Sequence, residues 1–259
     1  MYPLKKISCL LLCLFLAVSC QKEEAQSNTL TVGLQCGYQP FEFMSKEGAI
    51  VGFDLDVARF LAHELGKKLV IKDMDFDGEI LALKQGKIDL IISGMNITAS
   101  RLKEIAMVPY HGAQITSLSL LFWGQIPEGI HSFQDLLKMN KASISVESGT
   151  NAEVFLSKYK EINLKSLQGS LAPLMDVKYG KSLAFLIEPD VANFLMKKHS
   201  EITCLPIPLP PDEVILGFGI GIMKENTALL ESIEKSIAKL KASKKLSELE
   251  TTWFYGGFL

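Results

Sequence analysis

Ala82-Leu83-Lys84-Gln85-Gly86-Lys87-Ile88-Asp89-Leu90-Ile91-Ile92-Ser93 has a counterpart later in the chain, Asp176-Val177-Lys178-Tyr179-Gly180-Lys181-Ser182-Leu183-Ala184-Phe185-Leu186-Ile187-Glu188. Each stretch reads as the end of a helix, a Gly-Lys turn, an apolar strand and then a polar residue. The glycine suits the left-handed residue that closes a helix. A continuous apolar run suits a strand covered on both faces. The polar residue falls at the strand's C-terminal end, where open α/β sheets place their ligands. Two such units predict an α/β protein of two lobes, each with a mostly parallel sheet flanked by helices and with a cleft between them.

Working outward, Leu30 to Leu34 reads as a strand and Gly37 to Gly48 as a turn-rich stretch. Asp54 is expected to cap a helix to Leu65, with Gly66 beyond its end. A strand follows over Leu69-Val70-Ile71, a helix over 77–85 and a strand over 88–92. In the second half, strands are expected over 142–146 and 183–187. Ser148-Gly149-Thr150 opens a helix through Tyr159, and another spans Leu171 to Tyr179. Leu229, Leu230, Ile233, Ile237 and Leu240 recur at helical spacing within 225–243 and read as core.

The composition is globular, with 48% apolar and 22% charged residues. A formal charge of −2 gives no basic excess for nucleic acid. At the N-terminus, Lys5 and Lys6 precede an apolar run from Ile7 to Val18, which is shorter than the ~20 residues of a membrane span. Residues 1–19 read as a secretory signal peptide. Leu16-Ala17-Val18-Ser19-Cys20 resembles a bacterial lipobox, which implies cleavage before Cys20 and lipidation of its sulfur. The polar residues that follow make 20–29 a tether. Cys36 and Cys204 fall in different lobes and read as small buried hydrophobes. No spacing marks a metal or cofactor site. Asp73 to Gly78 imitates a calcium loop, but its twelfth position would be Lys84 rather than Glu. Gly217 to Gly221 lacks the helix that a dinucleotide fingerprint needs and reads as a strand in close backbone contact. His63, His111, His131 and His199 read as surface or turn residues.

Tyr38-Gln39-Pro40-Phe41-Glu42-Phe43, Gly52-Phe53-Asp54-Leu55-Asp56, Asp75-Phe76-Asp77, Gly86-Lys87-Ile88-Asp89 and Ser93-Gly94-Met95-Asn96-Ile97-Thr98 with Arg101 stand in a fixed order. Ser148-Gly149-Thr150 and Gly217-Phe218-Gly219-Ile220-Gly221-Ile222 follow. The series resembles solute-binding protein family 3, the polar amino-acid receptors of ABC importers. That resemblance implies the type II periplasmic-binding-protein fold with a two-strand hinge. Residues 30–112 and 218–259 would form lobe I, and 113–217 lobe II. It also implies a monomer that meets an ABC permease and its ATPase subunits, and meets the membrane only through its lipid.

Residue by residue, the resemblance makes Arg101 the clamp for the ligand's carboxylate, a task a guanidinium fork performs bidentately. Thr150, with Asn151 beside it at a helix N-terminus, would be a second anchor. Ser93, Gly94 and Asn96 would bond the α-groups. Glu188 would hold the ammonium, with Asp190 as the alternative. Tyr38 and Phe76 would sandwich the side chain, while Phe41, Phe43 and Phe53 pack the core. Gln35 and Glu147 would meet the polar tip, and a carboxylate at 147 favours a cation. Arginine or another basic amino acid is therefore expected first and glutamine second. A cyclohexadienyl or arogenate dehydratase, which would reuse Arg101 and Glu188, is the enzymatic alternative.

Overall fold

The computed structural model describes residues 28–139 and 141–256. The signal peptide and Cys20 lie outside the described residues, as does the tether up to Ser27.

The chain begins with β1 (Thr29–Leu34), a small hairpin of β2 (Phe43–Met44) and β3 (Ile50–Val51), α1 (Phe53–Glu64) and β4 (Lys68–Asp73). A 3-10 turn, Phe76–Gly78, leads into α2 (Glu79–Lys84), then β5 (Leu90–Ile91), α3 (Ala99–Glu104) and β6 (Ala106–His111). Next come β7 (Ser117–Trp123), α4 (Phe133–Lys138), β8 (Ser143–Glu147), α5 (Asn151–Leu156) and β9 (Asn163–Leu167). They are followed by α6 (Leu171–Lys178), β10 (Ala184–Ile187), α7 (Pro189–Lys198) and β11 (Ile202–Pro208). The described chain closes with β12 (Phe218–Ile222), α8 (Thr227–Ala242), α9 (Lys245–Glu250) and a π-helical turn, Thr251–Tyr255.

Two five-stranded sheets result, in the orders β4-β1-β5-β12-β6 and β11-β7-β10-β8-β9. Both are mixed. A single strand in each runs against its neighbours, β12 in the first and β7 in the second. The expectation of mostly parallel sheets therefore holds for strand direction, while half the pairings are antiparallel. The two sheets are joined where Ile115 and Ile215 pair antiparallel, with N–O distances of 2.9 and 3.1 Å. This is the two-strand hinge.

The Gly-Lys repeat forms α2–β5 and α6–β10. Gly86 and Gly180 take φ +66° and +68° and end their helices. Other elements are shorter than the pattern suggested. The strand expected over 88–92 is laddered only at Leu90–Ile91. The helix expected to reach Tyr159 stops at Leu156, and the one over 77–85 splits into the 3-10 turn and α2.

Asp54 is not a cap. It is the second residue of α1, fully buried, and accepts from the Gly94 N–H and the Tyr110 hydroxyl, both at 2.7 Å. The N-cap is Gly52, at φ +138°, where a Cβ would stand 2.1 Å from the Phe41 carbonyl oxygen. Only glycine fits so tight an entry. Asp54 thus ties α1 to the turn after β5, which carries site residues.

Phe41 and Phe53 are fully buried as expected, whereas Phe43 is half-buried. β12 is buried along its length; Cβ atoms at Gly219 and Gly221 would stand 2.6 Å from Ile97 and 3.0 Å from Ile105, so its glycines admit those neighbours. His111 departs from the surface reading. Its ring stacks on Phe254 with centroids 4.4 Å apart, and Nδ1 lies 2.8 Å from Glu250 Oε1. Cys36 and Cys204 are free thiols and half-buried, so they are not the core residues expected.

Candidate ligand-binding site

Parallel strands deliver the polar groups. Gln35 follows β1, Ser93 stands two residues beyond β5, Glu147 ends β8 and Glu188 follows β10. All four are buried. They meet in a narrow cavity between the lobes, with about 10 Å³ open to the centre of a water-sized sphere. That is room for about one water molecule, so these side chains stand nearly closed on one another.

Tyr38, Phe76, Gly94, Asn96 and Thr150 complete the expected lining. Arg101 and Asn151 sit beside the cavity and line a neighbouring groove with Gly149. Arg101 is buried, not the exposed helix residue its local sequence suggests. Its guanidinium lies 5.2 Å from the Phe76 ring centroid, donates to the Asn96 carbonyl at 2.8 Å and reaches the Gly149 carbonyl of the other lobe at 3.0 Å. Asn151 donates to Asn96 Oδ1 at 2.8 Å. Asp190 lies elsewhere, in a groove with His111 and Phe254.

Several contacts cross the cleft. Tyr38 donates its hydroxyl to Glu188 at 2.8 Å, and the Gln35 amide donates to Glu147. Gln35 also accepts from the Phe76 N–H at 2.6 Å, which fixes which end of its amide faces Glu147. Thr150 caps α5 by accepting from the Glu153 N–H at 3.4 Å, while the Glu153 carboxylate takes the Gly149 N–H at 2.7 Å. Glu153 thus already occupies an N–H beside the expected Thr150 anchor.

Three acidic residues stand near the site without a local sequence mark of a ligand-binding role. Glu42 lines the cavity, fully buried, with one carboxyl oxygen lacking a hydrogen-bond partner. Its signal was a lone charge between Phe41 and Phe43. Glu79, the first residue of α2, is fully buried. It stands at i relative to Ala82 and Leu83 at i+3 and i+4, so helical spacing already put it on the inner face. Asp54 was read as a cap.

The balance of charge is one-sided. Glu42, Asp54, Glu79, Glu147 and Glu188 are buried carboxyls, and Arg101 is the one buried cation among the described residues. Burial raises all five carboxyls above their ordinary range. For Glu147, burial and then the Glu188 charge push the value up to about 8, against the pull of the Gln35 hydrogen bond. For Glu188, burial is partly offset by the Tyr38 hydrogen bond and the Arg101 charge. Burial lowers Arg101, opposed by Glu188 and Glu79.

Gly149 marks how tightly the lobes meet. It holds φ +76°, and a Cβ there would stand 2.9 Å from Asp77 Cα of the other lobe. Gly149→Ala is expected to weaken ligand binding about tenfold or more, equivalent to about 1.4 kcal/mol. It should lower the stability of the ligand-free protein by only about 1 kcal/mol, the cost of a left-handed alanine. Titration calorimetry beside urea unfolding separates the two effects; an unchanged affinity would count against this contact being made on closure.

The model of the bacterial extracellular solute-binding proteins, family 3, matches residues 30–256. The probable ABC transporter arginine-binding protein ArtJ of Chlamydia trachomatis is 39% identical over 243 residues, covering 93% of this chain and 92% of that protein. Among solved structures, a mutant of the arginine-binding protein ArgBP from T. maritima superposes with a TM-score of 0.79 at 32% identity, covering 88% of this chain and 95% of that one. An ancestral amino acid-binding protein, a precursor of cyclohexadienyl dehydratase, superposes with a TM-score of 0.78 at 28% identity, covering 88% and 96%. With the family's model matched across nearly all of the described residues, and with polar groups gathered at the strand ends between two hinged α/β lobes, the chain belongs to the bacterial extracellular solute-binding proteins, family 3.

Proposed function

We propose that this chain is the receptor of an ABC importer for arginine or another basic amino acid, and that it binds its ligand without transforming it. The carrying observation is the excess of buried carboxyls over the lone guanidinium of Arg101. A basic amino acid brings one carboxylate and two cationic groups, which matches that balance. A neutral ligand would leave Glu147 and Glu42 without a cation, and an acidic one would face like charge.

In this reading Arg101 grips the α-carboxylate, assisted by Thr150 and by Asn151 through Asn96. Ser93 and Gly94 bond the α-groups, and Glu188 takes the ammonium. Tyr38 and Phe76 flank the aliphatic stem. Gln35, Glu147 and Glu42 surround the tip, where an aromatic face and a carboxylate together favour a guanidinium. Residues 30–112 with 218–259 act as one rigid unit and 113–217 as the other, closing about the Ile115–Ile215 pair. Among the described residues no helix is long and apolar enough to cross a membrane. Attachment is assigned to the lipid on Cys20, with the closed, monomeric receptor presented to the permease and its ATPase subunits.

The test is calorimetric titration of the chain from Gln21 with the common amino acids and ornithine. Tight binding of arginine, with lysine or ornithine next, is the expected result. Preference for glutamine would keep the receptor and discard the charge argument. Turnover of arogenate would replace the receptor with an enzyme. Incorporation of labelled palmitate into the full chain, lost in Cys20→Ser, tests the anchor.

A further inference from the structure

Glu79 opens α2, the helix that packs Leu83 with Phe76, Ile91 and Ile105 in a small second apolar cluster. It is fully buried, and neither carboxyl oxygen has a hydrogen-bond partner among the described residues. Phe76, one turn earlier, lies beneath the Arg101 guanidinium. The structure thus places an acid with no ion-pair partner among the described residues one turn from the ring that carries Arg101, with the Ser93 hydroxyl near it. A charged Glu79 in that position would compete with the ligand's carboxylate for the same cation. An uncharged one leaves Arg101 free to act.

We propose that Glu79 is a positioning residue that must remain an uncharged carboxylic acid for Arg101 to grip the ligand's carboxylate, so that its ionisation weakens binding. The inference rests on the reading of Arg101 as the carboxylate clamp. The surroundings favour the uncharged form. Burial raises the Glu79 carboxyl well above its ordinary value. The Ser93 hydroxyl and the Arg101 charge pull it down, while Glu147 on β8 and Asp54 on α1 push it up. Glu42, beside the hairpin, is a further acid within electrostatic reach. Three acids therefore stand against one base around it. A ligand carboxylate arriving at Arg101 cancels the only charge that helps Glu79 ionise, so ligand binding and ionisation of Glu79 exclude each other.

The experiment compares arginine affinity in the parent chain and in Glu79→Gln across pH 6–10 by calorimetry. Taking the ratio of the two dissociation constants removes the ligand's own titration. The variant is expected to gain on the parent as pH rises, by about tenfold for each unit of pKa coupling. Glu79→Leu, apolar among apolar neighbours, should show the same trend and guards against an effect of the glutamine amide. A ratio that does not change with pH, or variants that bind more weakly throughout that range, would overturn the role of Glu79 while leaving the receptor intact. Absence of arginine binding by the parent at pH 6.5 would overturn both.

Discussion

Arg101→Ala is expected to weaken arginine binding at least a hundredfold, leaving no measurable heat at micromolar protein. The guanidinium is buried, and its two bonds go to neutral carbonyls of Asn96 and Gly149 rather than to a carboxylate. Its charge is therefore held in place but not consumed by a partner in direct contact. A ligand carboxylate is the natural counter-ion. Removing one member of a buried, hydrogen-bonded charge pair costs about 2–5 kcal/mol or more, and about 2.7 kcal/mol already corresponds to a hundredfold. Alanine would also leave Glu188 without the cation that partly offsets its burial, which adds to the loss. Arg101→Lys is expected to recover only a fraction, because a point charge cannot reproduce the fork over Phe76. Retention of arginine affinity in Arg101→Ala would place the carboxylate elsewhere, with Thr150 the first candidate.

The fold was legible because its signal is local and repeated. Gly86 and Gly180 announce the helix ends by backbone need, and the apolar runs after them can only be covered strands. Ser93 and Glu188 follow from the same pattern, since strand C-termini are where this architecture exposes polar groups. What stayed hidden depended on long-range partners. Asp54 at the start of a helix looks like a cap unless Gly94 and Tyr110 are known to stand against it. His111 looks like a turn residue until Phe254 and Glu250, far along the chain, pack on it. Arg101, in Ala99-Ser100-Arg101-Leu102-Lys103-Glu104, carries no local mark of burial; its place rested on family resemblance. Glu79 shows a different limit. Its helical spacing was plain, but an acid on an inner face is read as an error in the pattern rather than as a feature of a site.

Arginine affinity is expected to rise with pH between 6 and 8, by up to tenfold per unit, and to level off near the Glu147 value of about 8. The sign follows from linkage. Burial raises the Glu147 carboxyl, so its contribution to the ligand-free protein's stability is complete below the ordinary carboxylate range and lost as pH rises through about 8. Below that value the group is mostly protonated, and its proton must leave before it can pair with a cation. Arginine therefore binds with release of a proton, and acid opposes it. In Glu147→Gln that release disappears, affinity for arginine at pH 8 falls, and affinity for a neutral amino acid changes little. Titrations in two buffers of different ionisation enthalpy give the number of protons released directly. The Glu79→Gln background is the cleanest setting, since it removes the opposing loss at alkaline pH and leaves the rise alone. An arginine affinity flat from pH 6 to 8.5 in that background would mean that Glu147 does not meet the cationic tip. The charge argument for a basic ligand would then rest on Glu188 and Glu42 alone. Proton release that persists in Glu147→Gln would identify one of those two as its source.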